Sequence, residues 1–321
     1  MRPALRWSRG EGARGRQRTV ATLLIGGLAV ALAGLAPPAA GHDRSGAAQG
    51  LERTVLDDGT ELFTHGMDPV VRPLSRGLGI LDAPKRDPVC ASSPFEPQLR
   101  IVYAALPGTT DPARDLRVIR RAVRRMDGII RKAGRKYSKR RDKIDLRVAC
   151  DSAGRIGVIQ IGASKRLDFN GIVSLLRILN LIQLNSKFLI FYGDRGASGC
   201  GIGQVWPDDR LAANNAHNNL LPMYAAVWRQ CWDGIAPLHE LSHMMGAVQL
   251  SAPHATGKWH CYDGFDVMCY DDLGLNPPGR GPCRAWQYDC GHDDFFDPTP
   301  RGYLAGHWNL ASRLNRYLVF R

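Results

Sequence analysis

The chain has 321 residues, 44% of them hydrophobic, and a formal net charge of +13. That length and composition exclude a disordered protein and allow one large domain or two small ones. Beyond residue 41 no segment is long and apolar enough to cross a membrane.

The first 41 residues read as a signal peptide. A basic stretch runs to Arg18, an apolar run follows from Val20 to Ala36, and Pro37-Pro38-Ala39-Ala40-Gly41 supplies small residues for cleavage near Ala40 or Gly41. The competing reading is an uncleaved anchor, for which this apolar run is a marginal span. The segment carries six Arg and one Glu, leaving +8 for a secreted, extracellular chain.

Residues 42–94 are rich in Gly, Pro and Asp and weakly periodic, and read as a loosely structured N-terminal segment or a propeptide. Leu99 to Leu106 then reads as a buried strand. Asp111-Pro112 opens a helix with proline at its first position. Leu116, Ile119, Val123, Met126, Ile130 and Ala133 recur at helical spacing within it. From Arg114 to Arg147 the chain carries fifteen Lys or Arg against four Asp. The periodicity places those charges on a solvated face, so no specific nucleic-acid partner is expected.

Ile144 to Cys150 and Ile156 to Ile161 read as strands, Asp168 to Leu184 as a helix, and Lys187 to Tyr192 as another buried strand. Strands alternating with helices predict an α/β (α+β) architecture. Gly193 to Asn219 is rich in Gly, Asp and Asn. Asp208, Asp209, Asn214 and Asn215 there suit either turns or calcium.

The cysteines are Cys90, Cys150, Cys200, Cys231, Cys261, Cys269, Cys283 and Cys290. An even set in an exported chain implies four disulfides. Sequential pairing, 90–150, 200–231, 261–269 and 283–290, is the simplest of the many connectivities. A free Cys90 would instead be able to silence a metal site.

Ala236 to Gly246 contains His239-Glu240-Leu241-Ser242-His243. Residues four apart share one helix face, about 5–6 Å apart at Cβ, so two imidazoles can converge on one zinc ion. Glu240 lies about 100° round the helix from His239 and about 60° from His243. A carboxylate there sits beside the metal as a general base without joining both histidines as a ligand. Pro237 and Gly246 suit the first turn and the residue after the last. A catalytic zinc needs a third protein ligand.

The run from His239 to Gly246, followed by Asp266-Val267-Met268-Cys269-Tyr270, resembles the metzincin zinc peptidases. The resemblance implies a zincin fold over residues 95–321, with a mixed sheet, an active-site helix and a disulfide-held, loop-rich lower half. It implies hydrolysis of peptide bonds by zinc-activated water, with Glu240 as base. It matches Met268 to the family's turn methionine and Tyr270 to a tyrosine that stabilises the oxyanion in some members. The family's third ligand falls at position 249, where this chain has Gln249, a poor zinc ligand. If residues are inserted, His260 or His254 takes the role. His260 is preferred because a 261–269 disulfide ties its neighbour to the methionine turn. The longer pattern from Gly246 through Cys290-Gly291-His292-Asp293-Asp294 also resembles secreted bacterial metzincin-like proteins. That tail is metal-capable in composition but lies outside the expected zinc site.

The expected function is therefore a secreted zinc metallopeptidase acting on peptides or proteins, with no membrane attachment after signal cleavage. A metzincin-like extracellular binding module without turnover is the alternative, favoured by Gln249 and opposed by Glu240. A polyanion binder using the basic helix is a third reading.

Overall fold

The computed structural model describes residues 50–70, 86–108, 111–138, 143–162, 167–194, 199–270, 272, 282–283 and 286–321. The expected signal peptide, 1–41, lies outside the described residues.

Within the N-terminal stretch read as loosely structured, β1 (Glu52–Val55) and β2 (Glu61–Thr64) form an antiparallel pair. Its apolar content is sparse, but Leu51, Leu56 and Leu62 are buried. Order there comes from docking onto the rest of the chain, which short-range periodicity does not register.

β3 (Val89–Cys90) pairs with β5 (Ile144–Val148) in parallel, and Cys90 is bonded to Cys150. β4 (Gln98–Ala105) is central. β5 and β6 (Val158–Gly162) share one of its edges, and β7 (Ser186–Tyr192) takes the other. β9 (Met223–Trp228) pairs with β7 in parallel, and β8 (Gly201–Gly203) lies antiparallel to β9. β10 (Leu318–Phe320), which has no clear sequence signature, closes antiparallel onto β5. The result is an eight-stranded mixed sheet, and the fold is mixed α/β.

Successive strand residues point to opposite faces, and here both faces are covered. Ile101, Tyr103, Leu189, Phe191 and Val227 pack with α1 (Pro112–Tyr137) and with α4 (Ala236–Met244). Val102, Ala104, Phe188, Ile190 and Trp228 pack with α2 (Phe169–Ile178). Double coverage explains the unbroken apolar runs of β4, β7 and β9. A single-turn α3 (Ala216–Asn219) precedes β9.

α1 starts as its sequence predicts, with Asp111 accepting from the Arg114 N–H at 3.1 Å. Its charges are not all on the solvated face. Asp115 is buried, accepts from the Tyr103 hydroxyl at 2.6 Å and pairs with both terminal nitrogens of Arg229. Arg131 turns inward to Asp127 and Asp145. α2 is shorter than the apolar spacing to Leu184 suggests. Asn180 takes a positive φ of 52°, which ends the helix at Ile178, nearly two turns early.

The four disulfides are 90–150, 200–231, 261–269 and 283–290, the sequential pairing. Cys90 is thereby committed to Cys150 and is no free thiol. Among the described residues, the stretch between α4 and β10 has little regular structure yet is well buried, with Trp259, Trp308 and Tyr317 among its interior side chains. Asp208 pairs with Arg210, and Asp209 accepts from the Ser251 hydroxyl at 2.7 Å. The two carboxylates considered for calcium are thus used locally. Among the described residues no helix is long and apolar enough to cross a membrane.

Replacing Asp115 with alanine removes the buried carboxylate with which Arg229 pairs. Removing one partner of such a pair costs about 3–5 kcal/mol. The expected result is a lowered urea midpoint with disulfides intact, and an unchanged midpoint contradicts this role for Asp115.

Candidate metal centre

Every residue of α4 is buried. The helix packs against β7, β8, β9 and α1, so its polar residues have no solvent to turn to and must find partners inside. It ends at Gly246, with φ +91°. A Cβ there would lie 2.7 Å from the Asn218 side chain and 3.0 Å from Trp308.

His239 and His243 stand one turn apart with their Nε2 atoms 3.1 Å from each other. His260 enters from the loop beyond the helix, and its Nε2 lies 3.3 Å from that of His239 and 3.2 Å from that of His243. A short hairpin holds His260. Its carbonyl accepts from the Thr256 N–H at 2.8 Å, and Ala255 bridges Cys261. The 261–269 disulfide ties the next residue to the turn containing Met268.

The second nitrogen of two rings is already committed. His239 Nδ1 donates to the Val267 carbonyl at 2.8 Å, and His260 Nδ1 contacts Asp272 Oδ2 at 2.9 Å. A carbonyl cannot donate, so His239 Nδ1 carries the proton of that bond, and Nε2 is the nitrogen turned towards the other two rings. The His260–Asp272 contact orients that ring in the same way. Burial and the neighbouring imidazoles hold His243 neutral, its pKa well below the ordinary value. Three Nε2 atoms thus face one point. Two ligands on a tetrahedral metal at about 2.0–2.1 Å stand about 3.3 Å apart, close to the separations seen. The donor set fits a zinc ion.

The sequence alternatives for the third position go elsewhere. Gln249 donates to the carbonyls of Trp206 and Gly246 at 3.2 and 3.1 Å. His254 joins Asp263, Asp293 and Asp294 in a separate group.

Two residues at the centre escape sequence reasoning. His65 and Asp68 arrive because residues 63–69 lie antiparallel along β8. The Asp68 N–H donates to the Gly201 carbonyl at 2.9 Å, the Cys200 N–H to the Asp68 carbonyl at 2.8 Å, and the Val205 N–H to the Phe63 carbonyl at 3.0 Å. Asp68 Oδ2 then sits 3.0 Å from His239 Nε2, and Oδ1 lies 3.6 Å from His260 Nε2. Tyr270 donates its hydroxyl to Asp68 Oδ1, with its ring 4.3 Å from that of His260. Burial, then the adjacent carboxylate of Asp68, keeps that phenol protonated.

Glu240 lies between these groups and β8. Its Oε2 is 3.3 Å from His65 Nε2, which also accepts from the Gly203 N–H at 3.2 Å. Burial, reinforced by the Asp68 carboxylate, pushes the Glu240 pKa well above the ordinary range. Burial brings His65 down to about 3. A Cβ on Gly201 would lie 2.0 Å from Glu240 Oε1, and one on Gly203 2.8 Å from Oε2. A Cβ on Gly199 would lie 2.2 Å from the Met67 side chain. Glycine at 199, 201 and 203 therefore strips one face of the strand, so that the glutamate and residues 67–68 can lie against it. That period-two glycine pattern is the signal in the sequence that locates this edge of the site.

No family model and no curated protein matches the chain. Among solved structures it is similar to wild type OgpA from Akkermansia muciniphila, at 14% identity and TM-score 0.31. It is also similar to catalytic inactive OgpA from that organism in complex with an O-glycopeptide (glycodrosocin) substrate, at 13% identity and TM-score 0.31. Each match covers 51% of this chain and 51% of the other, so the chain spans about half the length of these structures.

Gly201→Ala should lower stability by about 1–3 kcal/mol, since Glu240 or the strand must move. Gly162→Ala in β6, where a Cβ meets nothing within 4 Å, should stay within about 0.5 kcal/mol of the parent. Urea unfolding of both variants checks the pair, and equal midpoints would contradict the packing described.

Proposed function

We propose that the protein is a secreted zinc-dependent metallopeptidase with its active centre at His239, His243 and His260. The observation that carries this reading is the convergence of three imidazole Nε2 atoms beside the buried carboxylate of Glu240. Four disulfides support export.

Zinc bound to the three histidines would supply Lewis acidity, polarising a peptide carbonyl and lowering the pKa of a water towards about 7. Glu240 takes the proton of the attacking water and returns it to the departing amine, so the carboxylate is regenerated with each turnover. Val267 and Asp272 hold the imidazoles of His239 and His260 in their working orientation. Tyr270, once released from Asp68, donates its hydroxyl to the oxyanion that develops on the carbonyl.

In the chain as described, residues 64–69 fill this centre, and Asp68 is the group that would occupy the remaining metal position. We read the segment as a propeptide whose displacement opens the cleft. β3 is held to β5 through Cys90 and Cys150, so the cut that frees Asp68 falls before β3, and residues from β3 onward stay with the catalytic part. The same filled cleft supports a second reading, an extracellular binding module without turnover. Removing the segment separates the two: a peptidase gains turnover and a binding module does not.

Cobalt substituted for zinc should give the strong visible absorption of a tetrahedral site. His239→Ala and His260→Ala should abolish it, and His254→Ala should retain it. Glu240→Gln should keep the spectrum and lower kcat on a peptide by about 10²–10⁴-fold. A spectrum that survives His260→Ala, or full turnover by Glu240→Gln, contradicts the assignment.

Asp68→Ala should raise the basal peptidase rate of the unprocessed chain by about tenfold or more, equivalent to about 1.4 kcal/mol of lost blocking contact. Protein cut between Val70 and Arg86 should exceed both. A cut chain that holds zinc but hydrolyses no peptide favours the binding module.

A further inference from the structure

We propose that His254, Asp263, Asp293 and Asp294 bind a second divalent cation, separate from the His239 centre. Their candidate ligand atoms all lie within 4.8 Å of one another. His254 Nδ1 stands 3.2 Å from Asp294 Oδ2 and 3.7 Å from both Asp263 Oδ2 and Asp293 Oδ1.

The hydrogen bonding singles out these carboxylates from their neighbours. Asp266 and Asp289, in the same region, spend their oxygens on backbone N–H groups: Asp266 on Met268 and Cys290, Asp289 on Asp293, Phe295 and Phe296. They brace the loops. Asp263, only 6% exposed, has Oδ2 buried and without a hydrogen-bond partner. Asp293 Oδ1 is in the same condition. Among the described residues, the ion pairs of Asp263, Asp293 and Asp294 all go to His254. One imidazolium cannot neutralise three carboxylates, so even full protonation of His254 leaves two negative charges in a group whose Asp263 and Asp294 are buried. A divalent ion cancels them and takes up the unpartnered oxygens.

The backbone is arranged for this. Gly291 has φ +104°, and a Cβ there would lie 2.6 Å from Asp293 Oδ1, in the space the carboxylate uses to turn towards His254. Asp294 Oδ1 accepts from the His254 N–H at 2.9 Å, which fixes the ring's parent residue against the tail. Burial and mutual repulsion push Asp294 up to about 6 and raise Asp263, the behaviour of carboxylates that lack a counter-charge.

One ring nitrogen and three carboxylates make a mixed donor set. The carboxylates suit calcium and manganese, and the imidazole suits zinc and manganese. The ion would clamp the tail segment 290–296 to the base of the hairpin that presents His260, since Tyr262 returns an N–H to the His254 carbonyl at 3.0 Å. It is a positioning ion, remote from the reacting atoms.

The test counts ions on the full secreted chain with its disulfides intact, after equilibration with Zn²⁺, Mn²⁺ or Ca²⁺ in turn. His239→Ala/His243→Ala removes the first centre and leaves this group untouched, so the count does not depend on the peptidase reading. One ion per chain should remain in that variant with at least one of the three cations. Adding Asp263→Asn and Asp294→Asn should weaken its binding at least tenfold. In the parent chain Asp263→Asn alone should weaken the second ion and leave the cobalt spectrum of the first. The proposal is overturned if the folded parent chain binds no ion beyond the first with any of the three cations. It is equally overturned if the second ion binds undiminished in Asp263→Asn/Asp294→Asn. The parent-chain count decides the matter should a variant fail to fold.

Discussion

Three imidazole nitrogens facing one another across little more than 3 Å of buried interior are a mutual liability. Neutral rings with inward lone pairs repel, and protonated rings repel more. A cation resolves the conflict, and the surroundings are built as though one were expected. Val267 and Asp272 pin two rings through their outer nitrogens. The 261–269 disulfide holds the hairpin beside the methionine turn. α4 is buried along its whole length against the sheet, so its histidines have no other direction to face.

The sheet contributes in an unusual way, by leaving side chains out. β8 and the residues just before it present glycine at 199, 201 and 203 on one face, and the space so vacated takes Glu240 on one side of the cleft and Met67 with Asp68 on another. Glu240 and Asp68, the proposed general base and blocking residue, bring their carboxylate oxygens within 4.8 Å of each other. Burial, then the Asp68 carboxylate, drives Glu240 towards its neutral form, in which it cannot accept a proton. In the proposed mechanism, departure of Asp68 clears the metal position and removes the second of the two causes, after burial, that keep Glu240 neutral.

Much of this is legible in the sequence, for identifiable reasons. The spacing of His239, Glu240 and His243 encodes a helix face, and a helix is a local structure. β4 and β7 announce themselves as continuous apolar runs because both their faces are covered. The choice of His260 over His254 rests on Cys261, and the structure places the two histidines in different groups. The features that the sequence conceals depend on contacts distant in the chain. His65 meets Glu240 across 175 positions, through backbone pairing to β8 that no side-chain pattern in 63–69 specifies. Arg131 sits among basic residues that face solvent, and only the carboxylates of Asp127 and Asp145 turn it inward. The early end of α2 comes from one residue, Asn180, whose positive φ the apolar spacing beyond it conceals.

The most direct test is a crystal structure of the zinc-equilibrated chain with data at the zinc absorption edge. The expected result is an anomalous peak about 2.0–2.1 Å from each Nε2 of His239, His243 and His260, with an oxygen of Asp68 as its fourth neighbour. Imidazoles that have swung apart, with no peak among them in zinc-saturated crystals, would contradict a metal centre at these three residues.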